Sequence, residues 1–192
     1  DFLPPSQLEV VDRLGLAVML HIPRSGRLKD PVNLGQILEI EQNYPNLKLI
    51  LAHVGRAYCE EDVGDAFEIL KKTERLTFDF SANTNAKVFE WAINAVGPQR
   101  MIFGSDLPIT RMRMRRITKN GKYLNLVPKG LYGDVSDDPS MCEIEGEEAD
   151  RLSFFIYEEI KSIREAAINT RLNKGEIEDL FFNNAHRMLG LS

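Results

Sequence analysis

The stretch that decides the fold is Arg100-Met101-Ile102-Phe103-Gly104-Ser105-Asp106-Leu107-Pro108. Met101, Ile102 and Phe103 form a short, continuous apolar run, the pattern of a strand covered on both faces, and Gly104 and Pro108 punctuate its end. Asp106 therefore stands where strand gives way to loop. Working outward, the apolar run at residues 16–20 ends on His21, and the run at 47–52 ends on His53. Each strand delivers a chemistry-bearing residue to its carboxyl end, the rim where parallel α/β folds place their sites.

The segments between these runs read as helices. Ser6 and Glu9 have capping-box spacing, and Leu8, Val11 and Leu14 repeat at helical intervals up to Gly15. Asp30-Pro31 opens a helix that runs to about Asn43, with aspartate as the cap and proline in the first turn. A helix is expected over 60–72, a third strand over 76–81, and an amphipathic helix over 86–96 closed by Gly97-Pro98. Strand starts near Leu16, Leu47, Leu76 and Met101 recur once per strand-plus-helix unit, the cadence of parallel strands joined by crossovers. Residues 109–146 read as a long charged loop after the last strand, in which Gly130 to Asp134 form a lid hinge or a turn. Leu152, Phe155, Ile156, Ile160, Ile163 and Ala167 then mark a long helix, and Gly175 precedes a last short one.

The 192 residues, 43% of them hydrophobic, suffice for one domain with a substantial core. A formal charge of -5 argues against nucleic acid or an anionic membrane and favours a small-molecule or protein partner. No apolar run reaches the ~20 residues of a membrane span, and the opening residues lack a signal-peptide pattern, so a cytoplasmic location is expected. Cys59 and Cys142 read as free thiols.

In a closed parallel barrel the carboxyl ends of strands face one bowl, so His21, His53 and Asp106 can meet there although they are far apart in sequence. Imidazole nitrogen and carboxylate oxygen suit zinc or a similar divalent ion. The plainer readings are a hydrogen-bonded histidine after each strand and a turn-capping aspartate.

Leu20-His21-Ile22-Pro23, Leu51-Ala52-His53-Val54-Gly55 and Phe103-Gly104-Ser105-Asp106-Leu107-Pro108 resemble the fifth, sixth and eighth strand motifs of the amidohydrolase-related family. Asn184 to Leu191 resembles that family's closing helix. The resemblance is to the branch of metal-dependent hydrolases and decarboxylases that includes aminocarboxymuconate semialdehyde decarboxylase. It implies a (β/α)8 barrel of which residues 1–192 are the carboxyl-terminal half, namely the last four βα units plus the carboxyl-terminal helices. It also implies that His21 and Asp106 bind a divalent metal, zinc first and manganese as the alternative. Asp106 would take a proton from a water activated by that metal, and His53 would polarise the substrate or orient the water. The family's His-x-His pair of the first strand has no counterpart here. The implied reaction is hydrolysis or decarboxylation of a small carboxylated substrate by the complete barrel, with an inert isolated chain as the alternative.

Arg111, Arg113, Arg115 and Arg116 follow Asp106 closely. Of these, Arg111 and Arg113, together with Arg24 beyond His21, are the candidates for clamping a substrate carboxylate; a solvated charge run is the alternative for each. His186 reads as a surface residue near a helix terminus. A different expectation is a catalytically inactive half-barrel serving in assembly or anion binding. Four units leave sheet edges uncovered, a liability relieved by pairing in a homo-oligomer.

Overall fold

Four short parallel strands carry the site, and the computed structural model describes residues 3–191. The strands β1 (Ala17–Leu20), β2 (Lys48–Leu51), β3 (Thr77–Asp79) and β4 (Met101–Ile102) lie side by side in that order. Leu20 is level with Leu51, Ile50 with Thr77, and Phe78 with Met101. Parallel neighbours need a crossover between them, and α2 (Pro31–Asn43), α3 (Ala66–Leu70) and α4 (Ala86–Val96) supply it after a lead-in helix, α1 (Pro5–Arg13). This is the expected α/β architecture of four strand-plus-helix units. Among the described residues the sheet is open rather than a closed barrel.

Local sequence explains most boundaries. Asp30 accepts hydrogen bonds from the backbone N–H groups of Val32 and Asn33, and Asn85 accepts one from Val88, so both helices start on a side-chain cap. The core forms where the sheet meets its helices. Leu51, Leu70, Leu76, Phe78, Phe80, Phe89 and Met101 are wholly buried, and the Phe80 and Phe89 rings meet edge to face at 4.5 Å.

Several expectations change. α1 begins at Pro5 with no side-chain cap, because proline rather than the Ser6–Glu9 spacing sets its first turn. The helix expected over 60–72 is a 3-10 turn (Glu60–Asp62) followed by α3; Gly64, with φ +54, breaks it in two. The strand after Gly15 is not buried but lies at the sheet edge, with Met19 60% exposed. β4 ends at Ile102, so Asp106 stands on a turn beyond it.

The largest correction concerns 109–146, which holds a three-stranded sheet instead of a structureless loop. β5 (Arg115–Lys119) and β6 (Lys122–Pro128) form a hairpin, and β7 (Met141–Ile144) adds parallel to β6. Asn120 and Gly121, with φ 52 and 69, make the two-residue turn. Asparagine-glycine tolerates that left-handed pair, and its twist matches the flanking strands. Tyr132 is no free hinge, since its hydroxyl accepts from the Arg113 N–H at 2.6 Å.

After a short helix, α5 (Gly146–Asp150), the long helix α6 (Phe155–Asn169) packs on α4. α7 (Lys174–Glu178) opens on an Asn173–Glu176 capping box, passes through a π-helical turn (Asp179–Asn183) and continues as α8 (Asn184–Leu189). This segment closes the free side of β4. The Phe103 N–H donates to the Leu180 carbonyl, and Asn184 donates to the carbonyls of Pro98 and Met101. No helix of the described residues is long and apolar enough to cross a membrane.

Candidate active site at the strand tips

Beyond β2 the backbone makes a left-handed turn in which His53, Val54, Gly55 and Arg56 have φ of 56, 49, 63 and 57. Left-handed backbone costs a residue with a side chain roughly 1–2 kcal/mol, so the turn needs external support. Close packing is one reason Gly55 sits within it: a Cβ there would lie 2.5 Å from Leu28 Cδ1. Ala82 beyond β3 and Asp106 beyond β4 are left-handed too, with φ of 48 and 47. All three successive strand tips therefore hold an unfavourable conformation at one end of the sheet. Strain of this kind gathers at functional sites.

The support comes from Asp79. Its Oδ1 accepts from the backbone N–H of His53 at 2.9 Å, from the backbone N–H of Ser81 at 2.9 Å, and from the Ser81 hydroxyl at 2.6 Å. The His53 Nδ1 lies 2.9 Å from both the Ser81 carbonyl and the Ser81 hydroxyl. Asp79 and Ser81 are buried, and the His53 ring is nearly so. His53 is thus fixed at both backbone and ring.

His21 arrives from β1, and its ring meets the His53 ring edge-on with centroids 5.3 Å apart. Its pKa is lowered from the usual histidine value, first by the protein packed around it, then by the positive charges of His53 and Arg56; Asp106 opposes the shift. A neutral imidazole is the form that ligates a metal. Arg56, which sequence reasoning did not single out, donates to the carbonyls of Ile22 and Pro23 and so anchors the loop after His21.

From the opposite side α6 contributes Glu159, which is wholly buried. Its Oε2 accepts from the Ala82 N–H at 2.9 Å. Burial pushes its carboxyl up to about 9, and the negative charges of Asp79 and Asp106 add to the rise although the Ala82 bond opposes it. Asp106 therefore acts electrostatically on both His21 and Glu159. The three strand-tip residues and two further carboxyls share one neighbourhood. Asp79 Oδ2 and Glu159 Oε1 are buried without a hydrogen-bond partner among the described residues.

The arginines divide differently from expectation. Arg24 is bound through its Nε to Asp30 at 2.9 Å on the surface, and Arg113 donates to the carbonyls of Leu152, Ala149 and Asp150. Arg113 is occupied in holding the fold, whereas Arg24 is half exposed and engaged through its Nε in a surface pair. Arg111 is exposed, and no salt bridge engages it among the described residues. Arg116 instead lies against the site's wall. It donates to the Ala82 carbonyl and to Asn125, and stacks on Tyr58, Tyr123 and Phe155 at 4.3, 4.8 and 4.8 Å. The small sheet is thereby locked onto the turn after β3.

His21 and Asp106 suit a divalent ion in kind, one imidazole and one carboxylate. They are too few in number, since no group of three or more His, Cys, Asp or Glu among the described residues can hold a metal.

Two residues that matter here carried readable signals. Thr77, Asp79 and Ser81 alternate with Leu76, Phe78 and Phe80, so the polar set shares one face of β3. Glu159 falls four residues after Phe155 and four before Ile163, on the apolar face of its helix, where a charged residue is out of place.

Comparisons with known proteins bear on the family and the fold. An amidohydrolase family model matches residues 5–191. A zinc-bound amidohydrolase from Burkholderia multivorans superposes with a TM-score of 0.62 at 16% identity, covering 98% of this chain and 58% of that one. Amidohydrolase 2 from Bifidobacterium longum subsp. infantis gives 0.55 at 17% identity, with 99% and 57% covered. The 5-carboxyvanillate decarboxylase of Sphingomonas paucimobilis gives 0.52 at 13% identity, with 100% and 55% covered. The chain spans less than three fifths of the length of these structures, and the likeness concerns the fold. The search of curated proteins found no match. A family match over nearly the whole chain, on the sheet and strand-tip residues described above, shows that the chain belongs to the amidohydrolase family.

Proposed function

We propose that this chain forms one wall of the active site of a metal-dependent amidohydrolase-like enzyme that hydrolyses or decarboxylates a small carboxylated substrate. The observation that carries the reading is the meeting of His21, His53 and Asp106 at one end of a parallel sheet, with His53 and Asp106 on left-handed backbone. His21 and Asp106 would hold a divalent ion together with ligands from the rest of the protein. The zinc in the Burkholderia structure supports zinc as the first choice, with manganese as the alternative. Such an ion supplies Lewis acidity toward a carbonyl, a carboxylate or a water.

The chain's own residues do the remainder. Asp106 would be the carboxylate that accepts a proton in the reaction. His53, immobilised by Ser81 and Asp79, orients the reacting group. Arg111 is the arginine left free to meet a substrate carboxylate. The test is metal analysis of the protein under non-chelating conditions, followed by CO2 release from a panel of aromatic carboxylates and hydrolysis of lactones and amides. Bound metal near one equivalent, and turnover abolished by Asp106→Asn and His21→Ala, are expected. Absence of both metal and turnover in the full-length protein would remove the proposal.

A second reading draws on the exposed β1 edge, where Met19 is 60% exposed and Leu16 48%. It is a half-barrel that associates with another chain, as a homo-oligomer, or binds an anion without turnover. Light scattering distinguishes it: obligate dimers without metal uptake support association, and a folded monomer counts against it.

A further inference from the structure

The two roles open to His53 require different tautomers. To polarise a substrate carbonyl, a neutral ring must donate from the nitrogen facing the site; to orient or deprotonate a water, that nitrogen must be bare. Nδ1 faces Ser81, so the question is what Ser81 offers to it.

Both Ser81 atoms near Nδ1 are acceptors. The carbonyl, at 2.9 Å, has no hydrogen to give. The hydroxyl, also at 2.9 Å from Nδ1, has one hydrogen, and Asp79 Oδ1 takes it at 2.6 Å. The backbone N–H groups of Ser81 and His53 bond to the same oxygen and hold both partners in register. Each group is buried, so water does not offer Nδ1 a substitute.

The geometry points to Ser81, anchored by Asp79, as the positioning residue that fixes neutral His53 with its hydrogen on Nδ1. Nε2, across the ring, is then the bare nitrogen. Neutral His53 accepts a hydrogen bond or a proton from the site and does not donate there. This rests on His53 being the reacting imidazole, and it selects between the two roles. Within the proposed reaction His53 orients water or takes its proton, and the neutral ring does not polarise a carbonyl.

The test needs neither metal nor substrate, so its outcome is separable from that of the proposed function. Long-range 1H–15N correlation of the histidine-labelled protein at alkaline pH, where imidazoles are neutral, reports which nitrogen carries hydrogen. The His53 signals are identified by their loss in His53→Gln. A protonated Nδ1 and a bare Nε2 are expected, and the reverse pattern overturns the inference. Ser81→Ala removes one of the two acceptors and leaves the carbonyl, so the hydrogen should stay on Nδ1 while the Nδ1 shift moves measurably, whereas Ser81→Thr keeps the original pattern. If Ser81→Ala leaves the spectrum unchanged in a folded protein, the hydroxyl has no positioning role and that assignment is overturned.

Discussion

The two sides of the parallel sheet are finished in opposite ways. β4 is covered: Met101 is wholly buried, and the segment from Asp179 onward bonds to Phe103, Pro98 and Met101. β1 is bare: Met19 is 60% exposed, and His21 at its tip is open to solvent. The site inherits this difference. His53, Asp79, Ser81 and Glu159 form a buried, hydrogen-bonded half, whereas His21 stands on an accessible half. A wall of this kind can hold its chemistry in place and still lack a complete set of metal donors.

The contrast can be broken most directly by truncating one residue from each half. Asp79→Ala removes an oxygen that accepts three buried hydrogen bonds and supports a left-handed turn, so a loss on the order of 4 kcal/mol in urea unfolding is expected. His21→Ala on the open edge should cost less than about 1 kcal/mol. Equal losses would mean that the two halves are supported alike.

Glu159→Gln sharpens the same contrast with the opposite sign. Because folding raises this carboxyl from the ordinary value to about 9, the folded chain holds a proton that the unfolded chain releases. The stability linked to it is complete below the ordinary glutamate value and fades as pH climbs through the interval up to about 9. Glutamine keeps the acceptor for Ala82 without ionising. The variant should gain roughly 5 kcal/mol at pH 8, nothing at pH 4, and show a flatter profile by thermal melts. A profile that keeps the wild-type slope would assign the carboxyl a different state.

Gly55→Ala probes the turn itself. Its φ of +63 and the 2.5 Å approach to Leu28 make a loss of about 2–3 kcal/mol the expected result in urea unfolding. The smallest effect belongs to Arg24→Ala: an exposed pair with Asp30 should contribute about 0.5 kcal/mol or less, visible as little or no change in melting temperature.

Much of the frame was legible because it depends on local signals. Apolar runs ending on His21, His53 and Asp106 located three of the four strands, and Asp30-Pro31 located a helix start that the structure reproduces. The small sheet was missed although Asn120-Gly121 is a strong hairpin signal, because the charged residues around it resembled a solvated loop. The roles of Asp79 and Ser81 were not assignable in advance. They depend on a bond to a turn that begins 26 residues earlier in the chain. Arg24 and Arg113 were plausible clamps by type and position, but occupation by Asp30 and by the α5 carbonyls is a tertiary fact without a local pattern.

The central claim is that the tips of separate strands meet at one place suited to a divalent cation. Manganese added in small steps to the histidine-labelled full-length protein tests it, because the ion broadens only nearby resonances. His21 and His53 should broaden together and recover in Asp106→Asn. His186 should stay sharp, since its helix packs at the far end of β4 through Asn184. Broadening that spares His21 and His53, or that reaches His186 equally, would contradict the account.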